Sequence, residues 1–258
     1  LIVKNRIPRV VVGTIDPFSE VAGRGIERLR QNGCEVVVGV LENECLELNR
    51  RFFTFHQKKR PYIILKWAET ADGFVDTDRT EADHGQPTWI TNEMARIAVH
   101  KQRASEQAIL IGTETALKDN PSLTVRDWFG EQPLRIVADR FHRINAHSNL
   151  FDGKASTLCV TNSKSSNKQQ AEFLIVPNES DLINSTLEHL YQNGIQSIIV
   201  EGGPTMLQSF IDRNLWDEAH VYIGQLSFGS GICAPRFQAR PQCFDRFYNS
   251  ELRVYRNI

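Results

Sequence analysis

Residues 197–207, Ser-Ile-Ile-Val-Glu-Gly-Gly-Pro-Thr-Met-Leu, run an apolar strand through a glycine pair straight into the start of a helix. Few junctions constrain a backbone so tightly. Gly202 and Gly203 lack a Cβ, so another backbone or a ligand can come close, and Pro204 suits the first position of a helix. A helix beginning there directs unpaired N–H groups and the positive end of its dipole at whatever lies in front of it. Two readings stand at this point: a plain strand-to-helix connection, or a cradle for an anion such as a dinucleotide pyrophosphate.

With 258 residues, 41% hydrophobic and 24% charged, the chain can bury a sizeable core in one large domain or two smaller ones. The net charge of −1 and the lack of a basic run give no bulk attraction to nucleic acid or an anionic membrane, so any anionic ligand must be held by local groups. No apolar segment reaches the roughly 18 residues that cross a bilayer, and no signal peptide is read at Leu1. A cytoplasmic protein is expected. The cysteines at 34, 45, 159, 233 and 243 are an odd, widely spaced set, expected as reduced and mostly buried thiols. The histidines at 56, 84, 100, 142, 147, 189 and 220 are equally scattered and form no metal motif.

The chain opens at Leu1 and is in a strand by residues 9–13, followed by a helix over 23–31 that Asn32-Gly33 stops and a second strand over 35–40. So short a strand-helix-strand piece has little to bury by itself and is expected as the tail of a larger domain. The polar residues His56 to Arg60 read as a linker, placed at 51–60. From residue 61 the pattern becomes regular. Strands are expected at 62–68, 108–112, 134–139, 157–161, 173–176 and 198–201. Helices are expected after Thr91 or Asn92, near Thr115, over 182–192 and after Pro204. Short apolar strands alternating with helices predict a mostly parallel sheet covered on both faces, with ligands beyond the carboxyl ends of the strands.

Polar residues fall at those ends. Arg140 is either a solvated loop residue or a fork for a phosphate such as the 2′-phosphate of NADPH. Lys66 interrupts an apolar strand, which points to a cleft or a carboxylate partner. In the helix after Trp89, Arg96, His100 and Arg103 share one face, with Met94, Ile97 and Ala98 opposite. That basic face is a solvated surface or the wall of a site for a phosphorylated substrate.

Residues 111–126, with Asp119, an Asn120-Pro121 turn and Arg126, are too polar for core. Taken with Thr14-Ile-Asp-Pro, Val21 to Gly25, Leu65-Lys66, Asp72-Gly73, Trp89-Ile90-Thr91 and Glu201 to Thr205, they make the chain resemble, over essentially its whole length, the bifunctional riboflavin-biosynthesis deaminase-reductase family. The second half of that family is a pyrimidine reductase. The resemblance implies an α/β fold: a dihydrofolate-reductase-like domain over 61–258, preceded by residues 1–50 as the remnant of a cytidine-deaminase-like domain. It implies zinc only in the rest of that deaminase domain, because neither H-x-E nor P-C-x-x-C occurs in this sequence. Deaminase activity is expected only of the intact parent.

The implied reaction is the NADPH-dependent reduction of the ribosyl group of 5-amino-6-(5-phosphoribosylamino)uracil to ribityl. Carried over position by position, coenzyme contacts fall on Ala68, Trp89, Thr115, Asp119, Arg140, Gly203, Pro204, Thr205, Met206, Leu207, Gln208 and Ser209. Substrate contacts fall on Arg103, Leu123, Arg126 and Glu201, with Lys66 and Glu201 the catalytic candidates. In this scheme Arg103 and Arg126 clamp the phosphate or the pyrimidinone oxygens, Lys66 lies near the sugar and Glu201 orients the base. The chain departs from the family at Pro87, where a serine is frequent, and in the long loop between Gly73 and Trp89. The family implies a homodimer, with a small phosphorylated pyrimidine as the only other partner. Three other readings stay open: a dihydrofolate-reductase-type enzyme, a nucleotide-binding module without catalysis, and a structural or interaction remnant.

Overall fold

Runs of four to eight apolar residues bounded by polar turns bury both faces of a strand, and such runs build most of the central sheet of this protein. The computed structural model describes residues 1–257 apart from 19–20, 22, 81–84, 86, 164–169 and 179–180. Ala22 of the second quoted motif, His84 and part of the long loop before Trp89 therefore lie outside the described residues. The chain divides into two compact units, Leu1–Tyr62 and Ile63–Ile258.

The first unit carries β1 (Arg9–Val12), α1 (Arg24–Gln31), β2 (Glu35–Val38), α2 (Glu42–Leu48) and α3 (Arg50–Lys58). β1 and β2 pair in parallel from Arg9 opposite Glu35 to Val12 opposite Val38. Asn32 caps α1, with Gly33 in the left-handed region behind it, as the Asn-Gly signal implies. The stretch read as a linker at 51–60 is instead mostly α3, whose Thr54 and Phe55 are buried. Aromatic residues at 52, 53 and 55 in a run of good helix formers outweigh its polar composition.

The second unit holds β3 (Tyr62–Glu69), β4 (Phe74–Asp76), α4 (Glu93–Ser105), β5 (Ala108–Gly112), α5 (Thr113–Asp119), β6 (Leu134–Ala138), β7 (Thr157–Thr161), β8 (Glu172–Ile175), α6 (Leu182–Gln192), β9 (Ser197–Val200), α7 (Pro204–Asp212), β10 (Glu218–Gly224), β11 (Ile232–Cys233), β12 (Cys243–Phe247) and β13 (Ser250–Arg256). Nine of these strands form one sheet in the order β12-β13-β10-β3-β9-β5-β6-β7-β8. Neighbours run parallel at β10–β3, β9–β5, β5–β6, β6–β7 and β7–β8, and antiparallel at β10–β13 and β12–β13. β4 pairs with β11 outside this sheet. The mostly parallel α/β sheet thus holds. The antiparallel ribbon at its edge is an addition to the sequence reading, which left residues 213–258 unassigned.

Strand periodicity sorts the core onto two faces. Ile63, Leu65, Leu110, Ile136, Leu158 and Val200 face Leu187 and Leu190 of α6 and Leu207 and Phe210 of α7. Ile109, Ile111, Val137 and Cys159 face Ala116 of α5 and Leu150 and Phe151 of a short 3-10 turn. α4 is capped by Asn92, whose side chain accepts from Ala95 N–H at 2.9 Å, and packs through Ala95 and Val99 on Tyr222. The expected apolar face of α4 is corrected here. Met94 is exposed and His100 is buried, because the segment carrying Arg126 and Asp127 covers the His100 ring. The thiols also depart from expectation. All five are free, but only Cys34 and Cys159 are buried, and Cys233 and Cys243 are exposed on the late strands.

Arg135, in the middle of this apolar sheet, is fully buried. Its guanidinium donates to the carbonyls of Ser122 (3.2 Å), Asn149 (3.0 Å) and Ala155 (2.6 Å) and to Asp152 Oδ1 (3.0 Å). The charge is tolerable only because these acceptors surround it. Arg135→Met is expected to lower stability by roughly 3 kcal/mol, since it leaves buried acceptors without a donor. The measurement is the urea midpoint at unchanged slope, and a shift within about 0.5 kcal/mol would show the clamp to be idle.

Candidate active site

β9 returns between β3 and β5, so the segments leaving the carboxyl ends of β3, β5, β6 and β9 converge on one crevice. That crevice is a cleft of about 1020 Å³. Its centre is a largely buried ionic cluster. Arg103, from the last turn of α4, grips Glu201 with two bonds, Nε to Oε1 at 3.0 Å and Nη2 to Oε2 at 2.8 Å. Lys66 Nζ of β3 stands 3.6 Å from Glu201 Oε2 and 5.6 Å from the centre of the Tyr222 ring. Lys66 therefore interrupts its apolar strand because it meets both a carboxylate and a cleft.

Burial alone would raise the Glu201 carboxyl, but the charges of Arg103 and Lys66 outweigh it and hold the group at about 2. Burial pushes Lys66 below the usual lysine range, Glu201 opposes this, and Arg103 adds to it. His100 is brought down to about 4 by burial and by the Arg103 charge. Its Nδ1 accepts the backbone N–H of Arg126 at 3.1 Å, so the neutral ring holds the segment that carries Arg126.

The glycine pair frames the other half of the cleft. A Cβ on Gly202 would stand 2.8 Å from Met206 Cβ, and one on Gly203 would stand 3.2 Å from Thr115 Oγ1. The first would force Met206 to shift, and the second would push the Thr115 hydroxyl aside by a few tenths of an ångström. Gly203 is the N-cap of α7 and offers no side chain to bond its first N–H groups, while Pro204 takes the first helical position. The opening turns of α5 and α7 both line the cleft.

Lys66, Ala68, Trp89, Arg103, Thr115, Asp119, Leu123, Arg126, Arg140, Glu201, Gly203, Pro204, Thr205, Met206, Leu207 and Ser209 all line this cleft. Gln208 does not. Its amide accepts the Arg236 N–H at 2.8 Å and donates to the Arg236 carbonyl at 3.1 Å, on the side of α7 away from the cleft. The expected clamp of Arg103 with Arg126 also changes. Arg103 commits its fork to Glu201, whereas Arg126 is exposed at the rim and makes no ion pair among the described residues. Arg140 donates to the Pro177 carbonyl at 3.3 Å and lies over the Phe141 ring.

Residues the sequence did not single out also line the cleft. Arg79 and Asp76 lie at the start of the long loop that departs from the family, so no motif marked them. Tyr222, whose ring lies beside Lys66, belongs to the unassigned residues 213–258. Leu123 adopts φ 52°, a left-handed conformation unusual for a leucine, directly after the Ser122 carbonyl that Arg135 holds. No group of three or more histidine, cysteine, aspartate or glutamate residues that could hold a metal occurs among the described residues.

Glu201 has its carboxyl lowered in the fold, so it contributes stability that is complete above its unfolded value near 4.5 and fades as pH falls toward about 2. Urea midpoints measured between pH 5 and pH 2.5 should fall less steeply for Glu201→Gln than for the wild type. Equal slopes would mean that the carboxylate is not held by Arg103 and Lys66.

The RibD C-terminal domain family matches residues 61–241. The chain is 36% identical over 236 residues to the riboflavin biosynthesis protein RibD of Aquifex aeolicus, covering 90% of this chain and 65% of that protein. It is 36% identical over 244 residues to RibD of Bacillus amyloliquefaciens, covering 91% and 64%. It thus spans slightly less than two thirds of the length of these relatives. Among solved structures, the diaminohydroxyphosphoribosylaminopyrimidine deaminase/5-amino-6-(5-phosphoribosylamino)uracil reductase of Thermotoga maritima superposes with a TM-score of 0.88 at 31% identity. That match covers all of this chain and 73% of the other. RibD of Acinetobacter baumannii superposes with a TM-score of 0.86 at 25% identity, covering 98% and 74%. A family match over more than half of the chain, with relatives at this identity, makes this protein a member of the RibD C-terminal domain family.

Proposed function

We propose that the chain is an NADPH-dependent reductase that converts the ribosyl group of 5-amino-6-(5-phosphoribosylamino)uracil to ribityl in riboflavin biosynthesis. The observation that carries this reading is the pairing, in one cleft, of a side-chain-free Gly202-Gly203 cradle with the Lys66–Glu201–Arg103 cluster. The cradle fits a dinucleotide pyrophosphate, since neither glycine brings a side chain to it and the first turn of α7 favours negative charge. Gly203, Thr205, Thr115 and Ser209 would hold the coenzyme, and Arg140 would meet its 2′-phosphate. When bound, the coenzyme supplies the hydride.

The residues of the chain do the rest. Glu201 is kept ionised, so it accepts hydrogen bonds from N–H groups of a pyrimidine and fixes the ring in its plane. Lys66 and Arg103 against one carboxylate leave the cluster with an excess positive charge, which suits carbonyl oxygens of the substrate. Arg126 at the rim is the guanidinium available for the substrate phosphate. Holding both reactants in attacking geometry supplies much of the rate. A dihydrofolate-type enzyme fits less well, because the helix bordering this site brings in Arg103 rather than a carboxylate.

On the same reading, residues 1–50 are the tail of a deaminase-like domain whose zinc ligands lie outside this sequence, and residues 61–258 are the reductase. The protein acts in the cytoplasm as a homodimer with a small-molecule substrate. No helix among the described residues is long and apolar enough to cross a membrane.

Because a ligand that binds only the native state raises its melting temperature, NADPH should stabilise the protein more than NADH does. Arg140→Ala should erase that difference, and equal shifts for the two coenzymes in the wild type would refute the assignment of Arg140. Arg126→Ala is expected to lower kcat/KM about tenfold or more, mainly through KM, for loss of a charge-assisted bond. An unchanged kcat/KM would remove Arg126 from the site.

A further inference from the structure

Arg79 lies three residues beyond Asp76 at the end of β4, in the segment where this sequence departs from its family, yet its guanidinium is nearly inaccessible to solvent. Nε donates to Asp76 Oδ2 at 2.8 Å, Nη2 to Asp119 Oδ1 at 2.6 Å, and Nη1 reaches the Lys118 carbonyl at 3.4 Å. Asp76 in turn accepts the Thr88 hydroxyl through Oδ1 at 2.9 Å, immediately before Trp89. One side chain therefore joins two walls of the cleft, the end of α5 and the segment leading into Trp89.

We propose that Arg79 is a coenzyme-positioning residue. It holds Asp119 as an oriented acceptor in the coenzyme half of the cleft and, through Asp76 and Thr88, sets the position of Trp89. This inference rests on the reductase reading above.

The chemistry of Asp119 supports it. Burial raises this carboxyl, while Arg79 opposes the rise by hydrogen bond and charge. Arg79 also occupies Oδ1, and Oδ2 has no partner among the described residues, so one carboxyl oxygen stays available in the cleft. Such an oxygen accepts from a hydroxyl or an amide N–H, and both occur on a nicotinamide riboside. A guanidinium suits the task because its donors must reach two carboxylates and a carbonyl lying in different directions. A lysine ammonium could supply the charge without that fixed fork. The contact with the Lys118 carbonyl, at the end of α5, further favours a cation at this place.

The test uses the full chain and four variants: Arg79→Met, Arg79→Lys, Asp119→Asn and the double variant Arg79→Met/Asp119→Asn. NADPH dissociation constants come from fluorescence titration, kcat and KM for the pyrimidine substrate from steady-state assays, and folding is checked by thermal melts. Arg79→Met should weaken NADPH binding about tenfold or more while the KM for the pyrimidine changes less than about twofold, and Arg79→Lys should recover part of the loss. Because Arg79 acts in part through Asp119, the double variant should lose less NADPH affinity than the two single losses combined. Wild-type NADPH affinity in Arg79→Met, or losses that add in the double variant, would overturn the proposal. So would an Arg79→Lys variant that melts like the wild type yet binds NADPH as weakly as Arg79→Met. If the wild-type protein itself shows no saturable NADPH binding, the reductase reading fails and takes this one with it. An unchanged Arg79→Met beside a saturable wild type removes this one alone.

Discussion

The bidentate grip of Arg103 on Glu201, with Lys66 alongside, is the interaction on which the site depends. Each of these three groups comes from a different element: the end of α4, the residue after β9 and the middle of β3. Withdrawing such charges from water is costly, and the cluster is tolerable only because the partners meet with good geometry. It follows that the relative placement of β3, β9 and α4 is specified more tightly than apolar packing alone would require. The same cost explains the neutral His100 close by. A third positive charge next to Arg103 is disfavoured, and the ring serves instead as an acceptor for the Arg126 N–H.

Around this centre the cleft is braced from behind. Arg135 holds the Ser122, Asn149 and Ala155 carbonyls, and Asn120, in a left-handed conformation, accepts the Ser148 hydroxyl and the Asn149 N–H through its side chain. These contacts fix the irregular segment from Asn120 to Leu123, which no regular hydrogen-bond ladder supports. Irregular backbone beside a ligand site needs this kind of buried donor set, since its own N–H and C=O groups are otherwise unmatched. Two apolar faces of one sheet and a few internal polar clamps therefore divide the work: the first provides cohesion and the second provides shape.

Much of this was readable in the order of residues. The strands of the parallel sheet are short, apolar and bounded by turn residues, so period and punctuation identified them; Asn92 as a cap, Asn193-Gly194 as a stop and Pro204 as a helix start are local signals with local causes. Lys66 was conspicuous because a cation inside an apolar strand requires an explanation. Other features carried no such signal. The edge ribbon of β12 and β13 mixes charged and aromatic residues without clean alternation, because most of β12 is exposed. The exposure of Met94 and the burial of His100 departed from the expected faces of α4, since what a helix buries depends on its neighbours, here the segment of Arg126 and Asp127 over His100. Gln208 illustrates the same limit. Within a run assigned wholly to the coenzyme, its side chain turns to the backbone of Arg236, 28 residues away in sequence.

The order of amino acids by itself determined the alternating strands and helices of the parallel sheet, the glycine junction after β9 and which charged residues stand at strand ends. Each of these follows from backbone sterics and from the burial cost of a few consecutive residues. The tertiary structure alone decided that Arg103 pairs with Glu201 rather than reaching outward, that Arg126 keeps its guanidinium at the rim, and that Arg79 closes on Asp76 and Asp119. The physical reason is that ion pairing and desolvation depend on distance in space. Residues 98 and 40 positions apart became partners only once the chain had brought their elements together.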